Sequence, residues 1–329
     1  MKILIVDKSG TLPVLKYGGT ERVIWGLGKE LTNLGHDVEF LVKAGSHCEF
    51  AKVHTLVDEE DIDSQIPEDI DVVHMNFRLK KPIHSKPYLV TMHGNPKPDE
   101  FIDINTVFIS KNQAERYGSS MYVYNGLYWD DYPKPDLNQA REYVHFLGKA
   151  DWKIKNVFGA IRVALKSGNE IHIMGGKRWT FRNLKRGLNF IFSRKVVFHG
   201  MVDNETKINI SQKSKALIIP VVWHEPFGLA IIESLYAGCA VFGSKNGSLP
   251  ELINKEVGMT SSSSKDLIDA LRDFRPNPRA CHDYAKTNFN AELMAKRYNS
   301  LYNKVLKGEL LNKTNPTYIE KKNSPVKFD

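Results

Sequence analysis

Two doubly wound α/β domains are the fold class this sequence predicts, on three observations. Short apolar runs such as Ile3 to Val6 and Ala216 to Ile219 alternate with segments of helical spacing. The alternation breaks at Trp129-Asp130-Asp131-Tyr132-Pro133-Lys134-Pro135-Asp136 and then resumes. The 329 residues also exceed the roughly 100–200 of an ordinary single domain.

The first unit opens with the strand Ile3 to Val6, a glycine turn at Gly18-Gly19, and a helix marked by Val23, Ile24, Leu27, Leu31 and Leu34. Gly35 ends that helix, and Val38 to Val42 is the next strand. Further strands are expected at Val72-Val73, Tyr88 to Val90, Thr106 to Ile109 and Met121 to Val123, which closes a first domain over 1–130. The Pro- and Asp-rich stretch 129–136 reads as a linker, because proline resists helix and strand interiors. A second domain over 137–290 follows, with strands Tyr143 to Leu147, Ile171 to Met174, Val196 to Phe198, Ala216 to Ile219 and Ala240 to Phe242. Its helices are expected at Asn156 to Lys166, Glu205 to Ser211 and Leu229 to Tyr236. Residues 265–311 have helical periodicity, with 291–311 expected to cross back to the first domain, and the polar tail 312–329 is expected to be mobile.

Composition excludes several classes. Hydrophobic residues make up 42% and charged residues 26%, a globular balance, and the longest apolar run, Ala216 to Trp223, is far short of the ~20 residues of a membrane span. No signal-peptide core precedes Asp7, so the cytosol is the expected compartment. Cys48, Cys239 and Cys281 form neither a disulfide framework nor a thiolate metal site. The net charge of +8 is concentrated in residues 151–200, above all in Lys177, Arg178, Arg182, Lys185, Arg186, Arg194 and Lys195, interleaved with aromatic and aliphatic residues. That stretch suits phosphates or peripheral contact with an anionic membrane, and equally a helix with a solvated basic face. No nucleic-acid-binding motif accompanies it, so nucleic acid is not an expected partner. Asp61-x-Asp63 and Asp69-x-Asp71 resemble a metal-diphosphate pair, but Asp71 runs straight into a strand, and the loop reads as solvated.

Three segments carry chemistry. Gly18-Gly19 puts backbone N–H groups at a helix start, where they attract phosphate or merely make a tight loop; it is too far from Asp7 for a dinucleotide fingerprint. Gly148-Lys149 and Lys155 follow a strand, at the sheet edge where open α/β folds bind ligands, with plain surface lysines as the alternative. The third is Trp223-His224-Glu225-Pro226-Phe227-Gly228-Leu229-Ala230-Ile231-Ile232-Glu233. At ~1.5 Å per helical residue its two carboxylates stand about 10–12 Å apart, too far for either glycosidase geometry. The second histidine of a zinc-protease helix is replaced by Gly228. The spacing suits one extended ligand held at both ends, with the Phe227, Gly228 and Leu229 amides between; Glu225 as helix cap and Glu233 on a solvated face is the alternative.

The segment from Glu225 to Glu233, followed by Ala237-Gly238-Cys239-Ala240-Val241 and Gly247-Ser248-Leu249-Pro250-Glu251, resembles the donor-site signature of the retaining glycosyltransferases of family 4, in glycosyl transferases group 1. Asp71 to His74, Thr91-Met92-His93-Gly94, Asn125-Gly126, Gly175-Gly176 and Phe198-His199-Gly200 add to the resemblance over roughly residues 1–300. It implies a GT-B fold, α/β, with two doubly wound Rossmann-like domains facing a central cleft and C-terminal helices. It further implies that Glu233 holds the donor ribose, and that Glu225 with the Phe227, Gly228 and Leu229 amides holds the transferred sugar. Lys149, Lys155 and the Gly18-Gly19 turn would meet the diphosphate, with Gly148 in the donor loop and His93 beside the reacting sugar. The family usually has arginine where Lys149 stands, and Asn125-Gly126-Leu127-Tyr128 lacks the aspartate that commonly follows. The implied reaction moves a sugar from a UDP- or GDP-sugar to a glycan or lipid-linked acceptor in cell-surface glycan synthesis, with retained configuration and neither metal nor cofactor. A sugar-nucleotide epimerase, or a non-catalytic subunit binding nucleotide sugar, are the rival expectations.

Overall fold

A computed structural model describes residues 1–14, 18–59, 61–177, 193–319 and 327–328. The chain divides into two units: Met1–Trp129 joined by the segment from Phe289, and Asp130–Asn288.

The first unit is built on six parallel strands: β1 (Lys2–Val6), β2 (Asp37–Val42), β3 (Lys52–Thr55), β4 (Val72–Met75), β5 (Tyr88–Met92) and β6 (Thr106–Phe108). Their order is β3-β2-β1-β4-β5-β6, so the chain winds outward from β1 in one direction and then in the other. The switch lies between β1 and β4. Ile3, Leu4, Ile5 and Val6 are wholly buried, the continuous apolar run a parallel sheet covered on both faces requires. Helix α1 (Gly19–Asn33) buries Val23, Ile24, Leu27 and Leu31, and Gly35 at φ +84° ends it in the left-handed conformation that favours glycine. The short helix α2 (Lys111–Arg116) is capped by the Ser110 side chain, which accepts from the Gln113 amide.

In the second unit β7 (Tyr143–Leu147), β8 (Ile171–Met174), β9 (Val196–Gly200), β10 (Ser214–Ile219), β11 (Ala240–Gly243) and β12 (Gly258–Thr260) form a parallel sheet of order β12-β11-β10-β7-β8-β9. Here the winding reverses between β7 and β10. Helices α3 (Val157–Lys166), α4 (Asn204–Ser211), α5 (Leu229–Tyr236), α6 (Leu249–Leu252), α7 (Ser264–Arg272) and α8 (Pro278–Asn288) accompany it. His145 on β7 is fully buried between the hydroxyls of Ser214 and Ser234, each at 2.8 Å, and burial pushes its pKa down to about 3.

The final helix α9 (Ala291–Leu306) belongs to the first unit, capped by Asn290, whose side chain accepts from the Leu293 amide. Its Tyr302 hydroxyl meets His74 Nδ1 at 2.7 Å. Its Tyr298 hydroxyl meets Thr91 Oγ1 at 2.8 Å, and that oxygen also meets His74 Nε2 at 2.7 Å. All four side chains are buried, so the helix is locked to β4 and β5 by a fully partnered polar chain set in apolar packing.

The structure departs from the sequence reading in four places. Met121 to Val123 is no strand; Tyr122 makes only an isolated bridge to Phe108. The short strands β3 and β12 carry too few apolar residues to announce themselves, because β3 is an edge strand with the pattern Lys-Val-His-Thr and β12 begins with glycine. The linker stretch contains a turn of 3₁₀ helix at Trp129–Asp131 and a buried Tyr132. The start of the tail is held in place: Asn312 donates to the Ile104 and Thr106 carbonyls, Thr317 N–H to Tyr117 and Ile319 N–H to Arg116. The basic stretch, over 178–192, lies outside the described residues.

Candidate active site

The loop from Gly148 to Asn156 leaves the C-terminal end of β7, and the segment Pro220 to Gly228 leaves that of β10, so both flank the switch of the second sheet. Open α/β sheets bind ligands at that position. Gly175, at φ +107°, lies so close to the first loop that a Cβ there would fall 2.1 Å from the Gly148 carbonyl oxygen. Lys149 follows, its ammonium 4.6 Å from the Trp152 ring centroid. Lys155 ends a 3₁₀ turn, and Asn156, left-handed at φ 53°, starts α3 by accepting from the Gly159 amide. The Asn156 amide also donates to the Pro220 carbonyl at 2.9 Å, and Val222 N–H donates to the Ile154 carbonyl at 2.9 Å. The two loops are thereby stitched together.

The stitching brings Lys155 Nζ to 2.6 Å from Glu225 Oε2, with side-chain exposures of 17% and 7%. Trp223 Nε1 donates to the same oxygen at 2.9 Å, and the Lys155 ammonium lies 5.0 Å from the Trp223 ring centroid. A carboxylate this buried needs such partners, since an uncompensated charge there costs several kcal/mol, of order 3–5. The backbone of Glu225 is gripped from the other side. Gly247, at φ +64°, packs so tightly that a Cβ would fall 2.3 Å from both Glu225 N and O. Ser248 N–H donates to the Glu225 carbonyl at 3.0 Å and Ser248 Oγ to the Phe227 carbonyl at 2.6 Å.

Gly228 precedes α5 at φ 90°, and no side chain caps the helix, so Glu225 is not its cap. Ile231 N–H donates to the Gly228 carbonyl at 2.9 Å, which leaves the Leu229 and Ala230 N–H groups without an intrahelical acceptor, and the helix dipole adds positive potential there. Phe227 is buried as an apolar anchor. Glu233, about one turn into α5, is not on a solvated face: its side chain is 11% exposed and ion-paired to Lys207 of α4, itself 10% exposed. Tyr132 donates to the same Glu233 oxygen at 2.9 Å. Trp223, Lys207 and Tyr132 were missed in reading the sequence. Lys207 carried no clear signal, because the helix Asn204–Ser211 has no apolar stripe in its sequence to mark the face that Lys207 shares with the buried Ile210 and Ser211.

The remaining predicted residues lie in the first unit. His93 follows β5, partly exposed, with Nε2 3.0 Å from Asn76 Oδ1. Burial lowers its pKa to about 4, so the imidazole is neutral at pH 7. With the amide oxygen accepting, Nε2 carries the proton and Nδ1 is an acceptor. Gly18 precedes α1, and the carboxylate of Glu21 sits against it, 2.8 Å from where a Cβ would be. This helix start therefore already faces an anion.

Residues 129–291 match the family model for glycosyl transferases group 1, so the second unit carries a glycosyl transferases group 1 domain. By sequence, 91 residues are 28% identical to an uncharacterized 42.6 kDa protein in the cps region of Klebsiella pneumoniae, covering 28% of this chain and 23% of that one. Over 63 residues the chain is 40% identical to an uncharacterized glycosyltransferase of Methanocaldococcus jannaschii, 19% of this chain and 16% of that one. The matched part thus spans about a quarter or less of these curated relatives. The crystal structure of AviGT4, a glycosyltransferase involved in avilamycin A biosynthesis, superposes with a TM-score of 0.78 at 19% identity, over 93% of this chain and 98% of that one. Anabaena HepE in complex with UDP-glucose superposes at 0.65 and 16% identity, over 91% and 98%. The fold is that of the GT-B glycosyltransferases.

Proposed function

We propose that this protein is a retaining glycosyltransferase that moves a hexose from a UDP- or GDP-sugar to a glycan or lipid-linked acceptor in cell-surface glycan synthesis. The observation that carries the reading is the buried Lys155–Glu225–Trp223 cluster at the switch of the second sheet, inside the segment that matches glycosyl transferases group 1. The UDP-glucose bound by HepE supports a nucleotide sugar as donor.

In this reading Glu233 accepts hydrogen bonds from the ribose hydroxyls, its second oxygen serving while Lys207 and Tyr132 hold the first. Glu225 and the amides at the start of α5 take the transferred sugar, and Lys149 and Lys155 meet the charge that grows on the leaving diphosphate. Fixed cations suit that task because they need no reorganisation as the bond breaks. Neutral His93 offers an acceptor nitrogen to a sugar hydroxyl without adding a positive charge beside an electron-poor anomeric carbon. No metal or cofactor is called for in this scheme. The Gly18-Gly19 turn contributes to the diphosphate only if Glu21 swings aside.

The test is incubation of purified protein with a panel of UDP- and GDP-sugars, following the melting temperature and release of nucleotide. A donor that binds the native state raises the melting temperature. If no nucleotide sugar shifts it and none is turned over in the presence of glycan acceptors, the reading is wrong.

A further inference from the structure

We propose that Trp223 and Tyr132 are positioning residues, each aiming one glutamate of the candidate site so that a single carboxylate oxygen is left for the ligand. This rests on the glycosyltransferase reading and names the side chains that direct its two glutamates.

Glu225 and Glu233 are held in the same way by different parts of the chain. Glu225 Oε2 accepts from Lys155 Nζ at 2.6 Å and from Trp223 Nε1 at 2.9 Å. Glu233 Oε1 accepts from Lys207 Nζ and, at 2.9 Å, from the Tyr132 hydroxyl. In both places the ammonium also lies over the aromatic ring, 5.0 Å from the Trp223 centroid and 5.4 Å from that of Tyr132. Each lysine, glutamate and aromatic side chain therefore touches the other two. Lys155 comes from the loop after β7, Lys207 from α4, Trp223 from the loop after β10 and Tyr132 from the segment before β7. Four segments supply the four partners, so the likeness lies in the geometry and not in a repeated sequence.

What this leaves over is one oxygen on each glutamate. Among the described residues, nothing donates a hydrogen bond to Glu225 Oε1 or to Glu233 Oε2. Neither is sealed from solvent, because no carboxylate oxygen is among the buried, unpartnered side-chain atoms of the described residues. Both side chains are otherwise about nine-tenths buried. A charged acceptor in so poorly hydrated a place forms a strong bond with a hydroxyl that a ligand brings.

The aromatic donor makes the choice of oxygen definite. An ammonium is a compact charge with rotatable donors, so it neutralises a carboxylate without fixing its plane. The last torsion of a glutamate is broad, and with a lysine alone the two oxygens exchange places. An indole N–H or a phenol O–H reaching the same oxygen from a packed ring adds a direction. Tyr132 is buried, with its ring 6.0 Å from that of Tyr236 on α5, and Trp223 follows Val222, whose N–H is tied to the Ile154 carbonyl. The lysine thus supplies charge and the ring supplies aim: Glu233 Oε2 toward the ribose hydroxyls, Glu225 Oε1 toward the transferred sugar.

Calorimetry on the full chain tests this with UDP and GDP, with the 2′,3′-dideoxy form of whichever binds, and with UDP-glucose, UDP-galactose and GDP-mannose. Tyr132→Phe and Trp223→Phe each keep an aromatic ring and remove the donor. Tyr132→Phe should weaken the nucleotide about tenfold and leave the dideoxy nucleotide within about twofold of wild type, because Tyr132 acts through the ribose contact. Trp223→Phe should leave the nucleotide within about twofold and cut about tenfold the affinity that the sugar adds, read as the ratio of the two dissociation constants. A merely structural role would lower the affinity for every ligand by one common factor, and that result overturns the assignment of the residue concerned. So does a variant that binds every ligand like wild type, or a wild-type chain that gains nothing from the ribose hydroxyls (for Tyr132) or from any of the sugars (for Trp223). A wild-type chain that binds neither UDP nor GDP refutes the glycosyltransferase reading itself, and both assignments fall with it.

Discussion

Lys207→Met tests whether Glu233 is held in place by a buried charge. The pair is about nine-tenths buried on both sides, and among the described residues the other partner of that Glu233 oxygen is Tyr132 at 2.9 Å. Truncating one member of a fully buried pair costs about 3–5 kcal/mol, because the other charge is left uncompensated. The Tyr132 hydroxyl still donates, and a tenth of the surface admits water, so about 3 kcal/mol is the expected loss. With a urea m-value of about 1–3 kcal/mol/M, the midpoint should fall by roughly 1–3 M. Lys207→Met/Glu233→Gln removes the orphaned charge together with its partner and should recover most of the loss, leaving it within about 1 kcal/mol of wild type. Tryptophan fluorescence during urea unfolding reads both, since Trp152 and Trp223 report from this unit. On the proposed function, UDP titration of the single variant should show weakened binding, because the carboxylate assigned to the ribose loses its anchor. A double variant no more stable than Lys207→Met would refute the reasoning, as would a single variant within 0.5 kcal/mol of wild type, a span about the size of ordinary surface effects.

Four other outcomes are expected. Gly175→Ala puts a methyl 2.1 Å from the Gly148 oxygen at φ +107° and should cost UDP affinity as well as stability, whereas Gly35→Ala, at φ +84° with open space around it, should cost only about 1 kcal/mol in melts and nothing in UDP titration. Lys155→Ala should lower turnover more than donor affinity if, as proposed, this cation acts on charge that grows in the transition state; equal losses by steady-state kinetics and calorimetry would mark uniform binding. His74 and His145 have native pKa values near 3, set by burial, against about 6.5 when unfolded. Below pH 6.5 the unfolded chain binds protons that the native one does not, so stability falls with falling pH, by about 2 kcal/mol per histidine at pH 5, and a flat denaturation midpoint between pH 7.5 and 5 would contradict this. Replacing Arg182, Lys185 and Arg186 by Glu should abolish co-sedimentation with anionic vesicles at low salt if the basic stretch meets membrane, each cation contributing ~1 kcal/mol; unchanged sedimentation rules that contact out.

The long-range plan of the chain was legible because parallel strands buried on both faces must be continuously apolar, as Ile3 to Val6 and Ala216 to Ile219 are. Edge strands face no such demand, which is why Lys52–Thr55 passed unnoticed. The tail differs for a related reason: its anchors are the Asn312 and Asn315 side chains, backbone N–H groups and the single ring of Tyr318 against Tyr117, too little apolar surface to make a periodic pattern. Within the site, Glu225, Glu233 and Lys155 stood out in the sequence, but the pairing of Lys155 with Glu225 and the partners Trp223, Lys207 and Tyr132 did not. Lys155 and Trp223 converge on Glu225 only because Asn156 and Val222 tie two loops that are about 70 residues apart in sequence, and spacing along a chain carries no trace of such a tie. Lys207 sits on a helix with no apolar stripe to mark its face, and which carboxylate it meets depends on tertiary packing.

The switch of the second sheet locates the candidate site, and its residue types decide what it can do. There the charges are inside: Lys155 and Glu225 are mostly buried, each satisfied by the other, so their arrangement is rigid and little screened by salt. A rigid, preorganised charge suits a group that must stabilise a transition state, because its value is realised only if it need not move.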